Sequence, residues 1–189
     1  MGRPNSLGAR RGGATASFAG VSVSDLRSAP VPEPTPADHV RGPDGARCVI
    51  VYGDYECPYC AALELRLREL PLRVVYRHFP VASRHPRARP AALAAEAAAL
   101  QGAFWPMHDA LFGDQARLED PHLWARAERL GLDVARFDAD RRSDAVAERV
   151  AAGFRSGVRA GVMTTPVLFA DGVAIADPRS DAALRALAG

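Results

Sequence analysis

Lysine is absent: all 24 basic residues are arginine. No ammonium can steady an anion as a close point charge, and only guanidinium, imidazole or backbone dipoles can take that role. Cysteine is scarce, at 3 in 189 residues, which excludes the dense disulfide framework of small secreted domains. Long apolar runs are also missing, and no stretch approaches the ~20 residues a membrane-spanning helix needs. A net charge of +2 is too small to point to nucleic acid. Arg10-Arg11 precedes Gly12 to Val23, which Gly, Ser and Thr dilute into a poor secretory signal. A twin-arginine export signal is the alternative to the default expectation, a cytoplasmic address.

What is present reads as one domain with a tail; the hydrophobic fraction, 48%, is ordinary for a globular core. Residues 1–38 mix Gly, Ser, Ala and Pro and end in Pro30-Val31-Pro32-Glu33-Pro34-Thr35-Pro36. Alternating prolines favour an extended, solvated chain, so this stretch reads as a disordered tail or linker, with a misassigned start codon as the alternative. Folded sequence is expected over 39–189.

The organising stretch is Gly53-Asp54-Tyr55-Glu56-Cys57-Pro58-Tyr59-Cys60. Before it, Val49 to Tyr52 carries no charge and reads as a strand buried on both faces, broken by Gly53 and Asp54. Pro58 suits the first helical position, where its missing N–H costs nothing. Cys57 is then the N-cap, near the free amides of Tyr59 and Cys60 and at the positive end of the helix dipole. A thiolate is favoured there, so Cys57 is the expected nucleophile. Cys60 lies on the same helix face and can close a disulfide with it. The pair also reads as half of a zinc site, but such a site needs a second pair of ligands. Cys48 is the only other cysteine and no His-x3-5-His follows, so no metal is expected. Cys48, at the start of the strand, reads as a packed, inert thiol.

Beyond the dithiol, Ala61 to Leu70 reads as a helix, with Leu63, Leu67 and Leu70 on one stripe, and Leu72 to Phe79 as a second strand. Ala91–Trp105, Met107–Phe112, Pro121–Leu130, Val134–Arg141 and Asp144–Arg159 then read as helices. Asp120, Asp133 and Ser143 are the expected caps and Gly131 a stop. The charges of Arg126, Arg129, Arg136, Arg141 and Arg142 read as a solvated face, and Phe104 and Trp105 as core. Asp171-Gly172 joins two short strands, Val167–Ala170 and Val173–Ala176, as a two-residue hairpin. A last helix spans Asp181 to Leu187. The order β-α-β, helical block, β-β-α defines an α/β class: a thioredoxin fold with an all-helical block inserted over about 87–160.

The chain resembles the DsbA-like thioredoxin-fold oxidoreductases, in particular the branch found alone or fused to sodium/proton antiporters. The resemblance rests on an ordered set: Asp38 to Pro43, Tyr52 to Cys60, Arg77-His78-Phe79-Pro80 and His85-Pro86. It continues through Gln101 to Trp105, Met107-His108-Asp109, Gly161-Val162 and Thr165-Pro166. It implies a thiol–disulfide oxidoreductase whose Thr165-Pro166 is a cis-proline loop facing the dithiol and holding substrate. It implies protein thiols and disulfides as substrates, an unidentified recycling partner, no cofactor, and structural roles for His78, His85 and His108. Transport is not implied, because the chain as read carries no antiporter sequence.

Asp54 matches the family motif and either orients backbone and accepts a proton or simply caps the turn. Glu56 would oppose a low thiolate pKa. Tyr59 stands where strongly oxidising relatives carry a histidine, which implies a milder oxidant, between about −230 and −120 mV. Members usually read Gly-Thr-Pro-Thr where this chain has Met163-Thr164-Thr165-Pro166-Val167, and their C-terminal strand and helix tend to be longer. Rival readings are a non-catalytic redox-sensing or binding module and a glutathione-dependent transferase or isomerase. The second is disfavoured by the presence of Cys60.

Overall fold

The computed structural model describes residues 1–2 and 29–189. Its centre is a sheet of strands β1 (His39–Arg41), β2 (Cys48–Gly53), β3 (Arg73–His78), β4 (Val167–Ala170) and β5 (Val173–Ala174), in the order β1-β3-β2-β4-β5. Only β2 and β3 are parallel, with Cys48 opposite Arg73 and Gly53 opposite His78; the other pairs are antiparallel. The crossover between them is helix α1 (Pro58–Leu67). Between β3 and β4 run α2 (Ala88–Ala99), α3 (Phe104–Gly113), α4 (Asp120–Arg129), α5 (Val134–Asp140) and α6 (Asp144–Arg159); α7 (Asp181–Ala188) closes the chain.

The central strands are apolar throughout because both their faces are covered. Val49, Val51, Val74, Tyr76 and Leu168 point into a core shared with α1, α2 to α5 and α7. Ile50, Tyr52, Val75 and Phe169 point the other way, toward Phe79, Ala160, Val162 and Val31. On that second face Gly157 of α6 lies so close to the sheet that a Cβ there would sit 2.6 Å from the Phe79 ring.

Several boundaries differ from the sequence reading for identifiable reasons. Gly53 does not break β2: it still pairs with His78, and a Cβ at this position would meet the Tyr76 ring at 2.6 Å. The helix expected over 91–105 stops at Ala99, and the chain reverses through Gly102 at φ +76°. Pro106, expected to separate two helices, instead sits in the first turn of α3, where no backbone donor is needed. Asp120 is inside α4 rather than its cap, and Glu119 takes the N-cap without a side-chain hydrogen bond. Asp133 and Ser143 do cap α5 and α6, accepting from the amides of Arg136 and Val146. In the hairpin both Asp171 (φ +50°) and Gly172 (φ +77°) are left-handed, as the mirror-image turn demands, and β5 is only 2 residues long.

The reading of 1–38 as a tail falls partly outside the described residues. Of its described part, residues 29–38 are held against the domain. The Ala29 amide donates to the Arg159 carbonyl at 2.8 Å, and Val31 is only 6% exposed. Arg77 donates to the carbonyls of Pro32 (2.8 Å) and Glu33 (3.1 Å) and grips the Asp38 carboxylate at 2.8 and 2.9 Å. The strand β1 that follows was not anticipated from its short, mixed sequence.

The solvated-arginine reading holds for Arg129, Arg136 and Arg142, which are exposed, and needs correction at Arg126 and Arg141. Arg126 is 2% exposed. Its guanidinium donates to the carbonyls of Ala110 near the end of α3, Asp114 and Arg117 in the loop after it, and His122 in the first turn of α4. Carbonyls left over at a helix end need donors, and a five-donor fork supplies several at once. Arg141 is likewise buried, between Asp120 and Asp138.

Candidate active site

The chain leaves the C-terminal end of β2, the central strand, where Asp54 turns it into α1. The turn is built by that side chain. Asp54, 1% exposed, accepts from the Glu56 amide (2.8 Å), the Val81 amide (2.8 Å) and His85 Nδ1 (2.9 Å). These bonds build the turn, and His85 is one of its partners. Glu56 turns away from the dithiol and accepts from the Arg87 amide at 2.6 Å.

Cys57 is the N-cap residue of α1, in extended conformation, with Pro58 in the first turn and no acidic residue there to cancel the positive helix end. Cys60 lies one turn on, and both cysteines are 3% exposed. The Cys60 amide bonds the Cys57 carbonyl at 3.1 Å, and the Cys57 sulfur lies near the Cys60 and Tyr59 amides without the geometry of a capping hydrogen bond. The thiol of Cys57 is nevertheless pulled down to about 5, first by the hydrogen bond from Cys60. The amides of Cys60 and Tyr59 and the side chain of Thr165 reinforce this against the opposing effect of burial. Cys60 is pushed far the other way, by burial and by the charge of its neighbour, although the Asp54 amide lies 3.4 Å from its sulfur. One sulfur is thus held as an anion and the other as a thiol.

The Thr165-Pro166 bond is cis, and the Thr165 carbonyl oxygen lies 3.5 Å from the Cys57 sulfur. Beside it, a cleft of about 360 Å³ is lined by Tyr59, Thr164, Thr165, Pro166, Ile175 and Arg179, among others. Tyr59 is half exposed, and the Arg179 guanidinium lies 5.2 Å from its ring centre, a cation near the dithiol that sequence order did not suggest. Met163, at the mouth of the proline loop, is 90% exposed. Cys48 sits at the opposite end of β2, roughly 16 Å away by strand rise, and burial raises its pKa.

Gln115 was missed from the sequence, and His108 takes a structural role of the kind the resemblance implied. Gln115, in the loop between α3 and α4, donates to the carbonyls of Tyr55 (2.8 Å) and Cys57 (2.9 Å). The Tyr55 hydroxyl meets His108 Nδ1 at 2.9 Å, and His108 Nε2 faces Glu64 of α1 at 3.2 Å. Burial disfavours the charged imidazole of His108, and with its one N–H on Nε2, toward the Glu64 carboxylate, Nδ1 is left to accept from the tyrosine hydroxyl. No local pattern marks Gln115, because its contacts bridge 58 and 60 positions.

Among the described residues, two sets bring metal-ligating side chains within 4.8 Å: His39, His78 and Glu96, and Glu64, His108 and Asp109. Sequence spacing could not show the first, since Glu96 gathers imidazoles from β1 and β3. In it, Arg149 already pairs with the Glu96 carboxylate at 2.6 Å and lies 3.3 Å from His39 Nε2. The second set is threaded by Arg41 and Arg68. Neither set includes Cys57 or Cys60. No helix among the described residues is long and apolar enough to cross a membrane.

Sheet order, cis-proline loop and paired sulfurs define the class: a thioredoxin-fold protein. A thioredoxin family model matches residues 34–188, and the chain belongs to that family. It is 46% identical over 151 residues to the Na(+)/H(+) antiporter NhaA 1 of Salinispora arenicola, covering 75% of this chain and 23% of that protein. It is 46% identical over 142 residues to the Na(+)/H(+) antiporter NhaA of Herminiimonas arsenicoxydans, covering 71% and 22%. The chain thus spans about a quarter of the length of the curated relatives it matches. Among solved structures it is similar to a thioredoxin-like oxidoreductase from Silicibacter pomeroyi, with a TM-score of 0.72 and 26% identity, covering 81% of this chain and 91% of that one. BdbD from Bacillus subtilis shares the fold at a TM-score of 0.72 and 17% identity, covering 85% and 95%.

Proposed function

We propose that Cys57 and Cys60 exchange with disulfides of protein or small-molecule substrates through a mixed disulfide. The Cys57 thiolate attacks one substrate sulfur, forming a Cys57–substrate bond while the substrate S–S bond breaks and its second sulfur leaves as a thiolate. Cys60 then gives up its proton and attacks the Cys57 sulfur, which forms the 57–60 disulfide and expels the first substrate sulfur. The substrate gains two electrons and two protons, one proton from Cys60 and one from solvent. A recycling partner of dithiol or disulfide chemistry runs the pair backwards.

The observation that carries this reading is the split between the two sulfurs: Cys57 is drawn down to about 5 while burial drives Cys60 upward. An attacking thiol must be ionised, and a resolving thiol must wait. The Thr165-Pro166 loop is placed to receive an extended substrate segment beside Cys57, since a chain laid along it can use the Thr165 carbonyl as an acceptor. Pro166 has no N–H, so at that residue the loop offers an incoming chain no donor.

In the cytoplasmic setting expected from the sequence, the dithiol works as a reductant; outside the cell it works as an oxidant. Insulin reduction and oxidative refolding by the purified protein test the activity, with Cys57→Ser as the control. Turnover that survives Cys57→Ser overturns the assignment of the nucleophile.

A further inference from the structure

We infer that Gln115 is a positioning residue: its side-chain amide ties the inserted helical block to the active-site turn and, through two backbone carbonyls, tunes how strongly the dithiol draws electrons. The inference rests on the oxidoreductase reading above.

The geometry is specific. The amide of Gln115 has two hydrogens, and it reaches two acceptors, the Tyr55 carbonyl at 2.8 Å and the Cys57 carbonyl at 2.9 Å. The second belongs to the nucleophile's own residue, so its negative end lies a few bonds from the sulfur. It already accepts from the amides of Cys60 (3.1 Å) and Ala61 (3.3 Å). A donor on that oxygen withdraws negative potential from the space the thiolate occupies, and its loss returns it.

The amide is itself held in place. Buried Arg126 donates to the carbonyls of Asp114 and Arg117, which bracket Gln115 on both sides. Tyr55 is anchored independently by its hydroxyl on His108, so the turn keeps its main fastening when Gln115 changes. The helical block therefore reaches the active-site turn through the Tyr55 ring, through Glu56 on the Arg87 amide, and through the backbone carbonyls that Gln115 holds. Only the last reaches the nucleophile's residue.

Gln115→Met keeps the length and removes the donors without adding charge. Gln115→Glu keeps the shape and sets a carboxylate against two carbonyl oxygens. The thiolate titration of Cys57, followed by ultraviolet absorbance against pH, and the redox equilibrium with glutathione are read for both variants. Met is expected to disfavour the thiolate by roughly threefold, the size of one modest neutral hydrogen bond. Glu is expected to disfavour it by about tenfold, which makes the pair more reducing by about 30 mV.

A Met variant that titrates like the parent overturns the inference. Should Met fail to fold, an unchanged Glu variant overturns it equally. A parent protein that forms no 57–60 disulfide with glutathione removes the oxidoreductase reading itself. A parent that exchanges normally, with variants indistinguishable from it, removes only the role of Gln115.

Discussion

Replacing Cys60 by alanine should move the Cys57 ionisation measurably upward. The largest single influence holding Cys57 near 5 is the hydrogen bond from the Cys60 thiol, ahead of the helix-end amides and Thr165. A hydrogen bond to a charged group contributes about 1.5–3 kcal/mol, and about 1.4 kcal/mol corresponds to one pH unit. Cys60→Ala should therefore shift the inflection up by one to about two pH units. The assay is the pH profile of iodoacetamide labelling at Cys57 in a Cys48→Ala background. Near pH 6 a group titrating around 5 is mostly thiolate, whereas an ordinary thiol near 8.5 is about 0.3% ionised, a roughly 300-fold difference. Reduced nucleophilicity of the more acidic thiolate, at a Brønsted slope of about 0.4–0.5, takes back roughly 40-fold of this. Cys57 should then label faster than a free thiol below about pH 7 and slower above it. Coverage of the sulfur slows labelling at every pH and leaves the inflection where it is. A parent profile still climbing between pH 8 and 9 would refute the reasoning, as would a Cys60→Ala profile that coincides with the parent.

Tyr59→His should raise the redox potential measured against glutathione, because a protonated imidazole beside the helix start stabilises the thiolate; an unchanged potential removes that explanation. His108 is buried neutral, so it binds its proton only in the unfolded chain. Stability is accordingly complete above about pH 6.5 and falls as the pH drops below it, by at most about 1.4 kcal/mol per pH unit for this one group. Urea unfolding at pH 7.5 and pH 5.5, with His108→Phe as comparison, checks this; a slope equal in both proteins contradicts it. Gly157→Ala should cost about 1–3 kcal/mol in the same unfolding assay, since its methyl would press on the Phe79 ring. Arg126→Met should cost more than Arg129→Met, because it strands buried carbonyls that the guanidinium now satisfies.

The dithiol was legible because its chemistry is local. Strand, turn, N-cap cysteine, first-turn proline and resolving cysteine occupy a dozen consecutive residues, so propensity and capping rules apply without knowledge of the fold. The Asp171-Gly172 hairpin and the Ser143 and Asp133 caps were readable for the same reason. Boundaries failed where tertiary approach decides: Gly53 looks like a strand breaker but makes room for the Tyr76 ring. Pro106 looked like a helix end because a proline interrupts a helix except in its first turn, and the position of that turn depended on the reversal at Gly102. Arg126 and Gln115 gave no signal at all. Their partners are backbone carbonyls, which every residue has, and no pattern of side chains reveals which carbonyls a fold will leave unpaired.

The stretch from Ala29 to Asp38 carries a practical lesson about where this domain starts. Arg77 clasps it, and Val31 plugs the apolar layer that Tyr52, Val75 and Phe169 present on the side away from the main core. Trimming the chain at the first strand would take away this lid, leaving a greasy patch in water and a buried guanidinium with only the Tyr52 hydroxyl left among its acceptors. Shortened versions meant for biochemistry should keep these ten or so residues, or they will tend to clump before their chemistry can be measured.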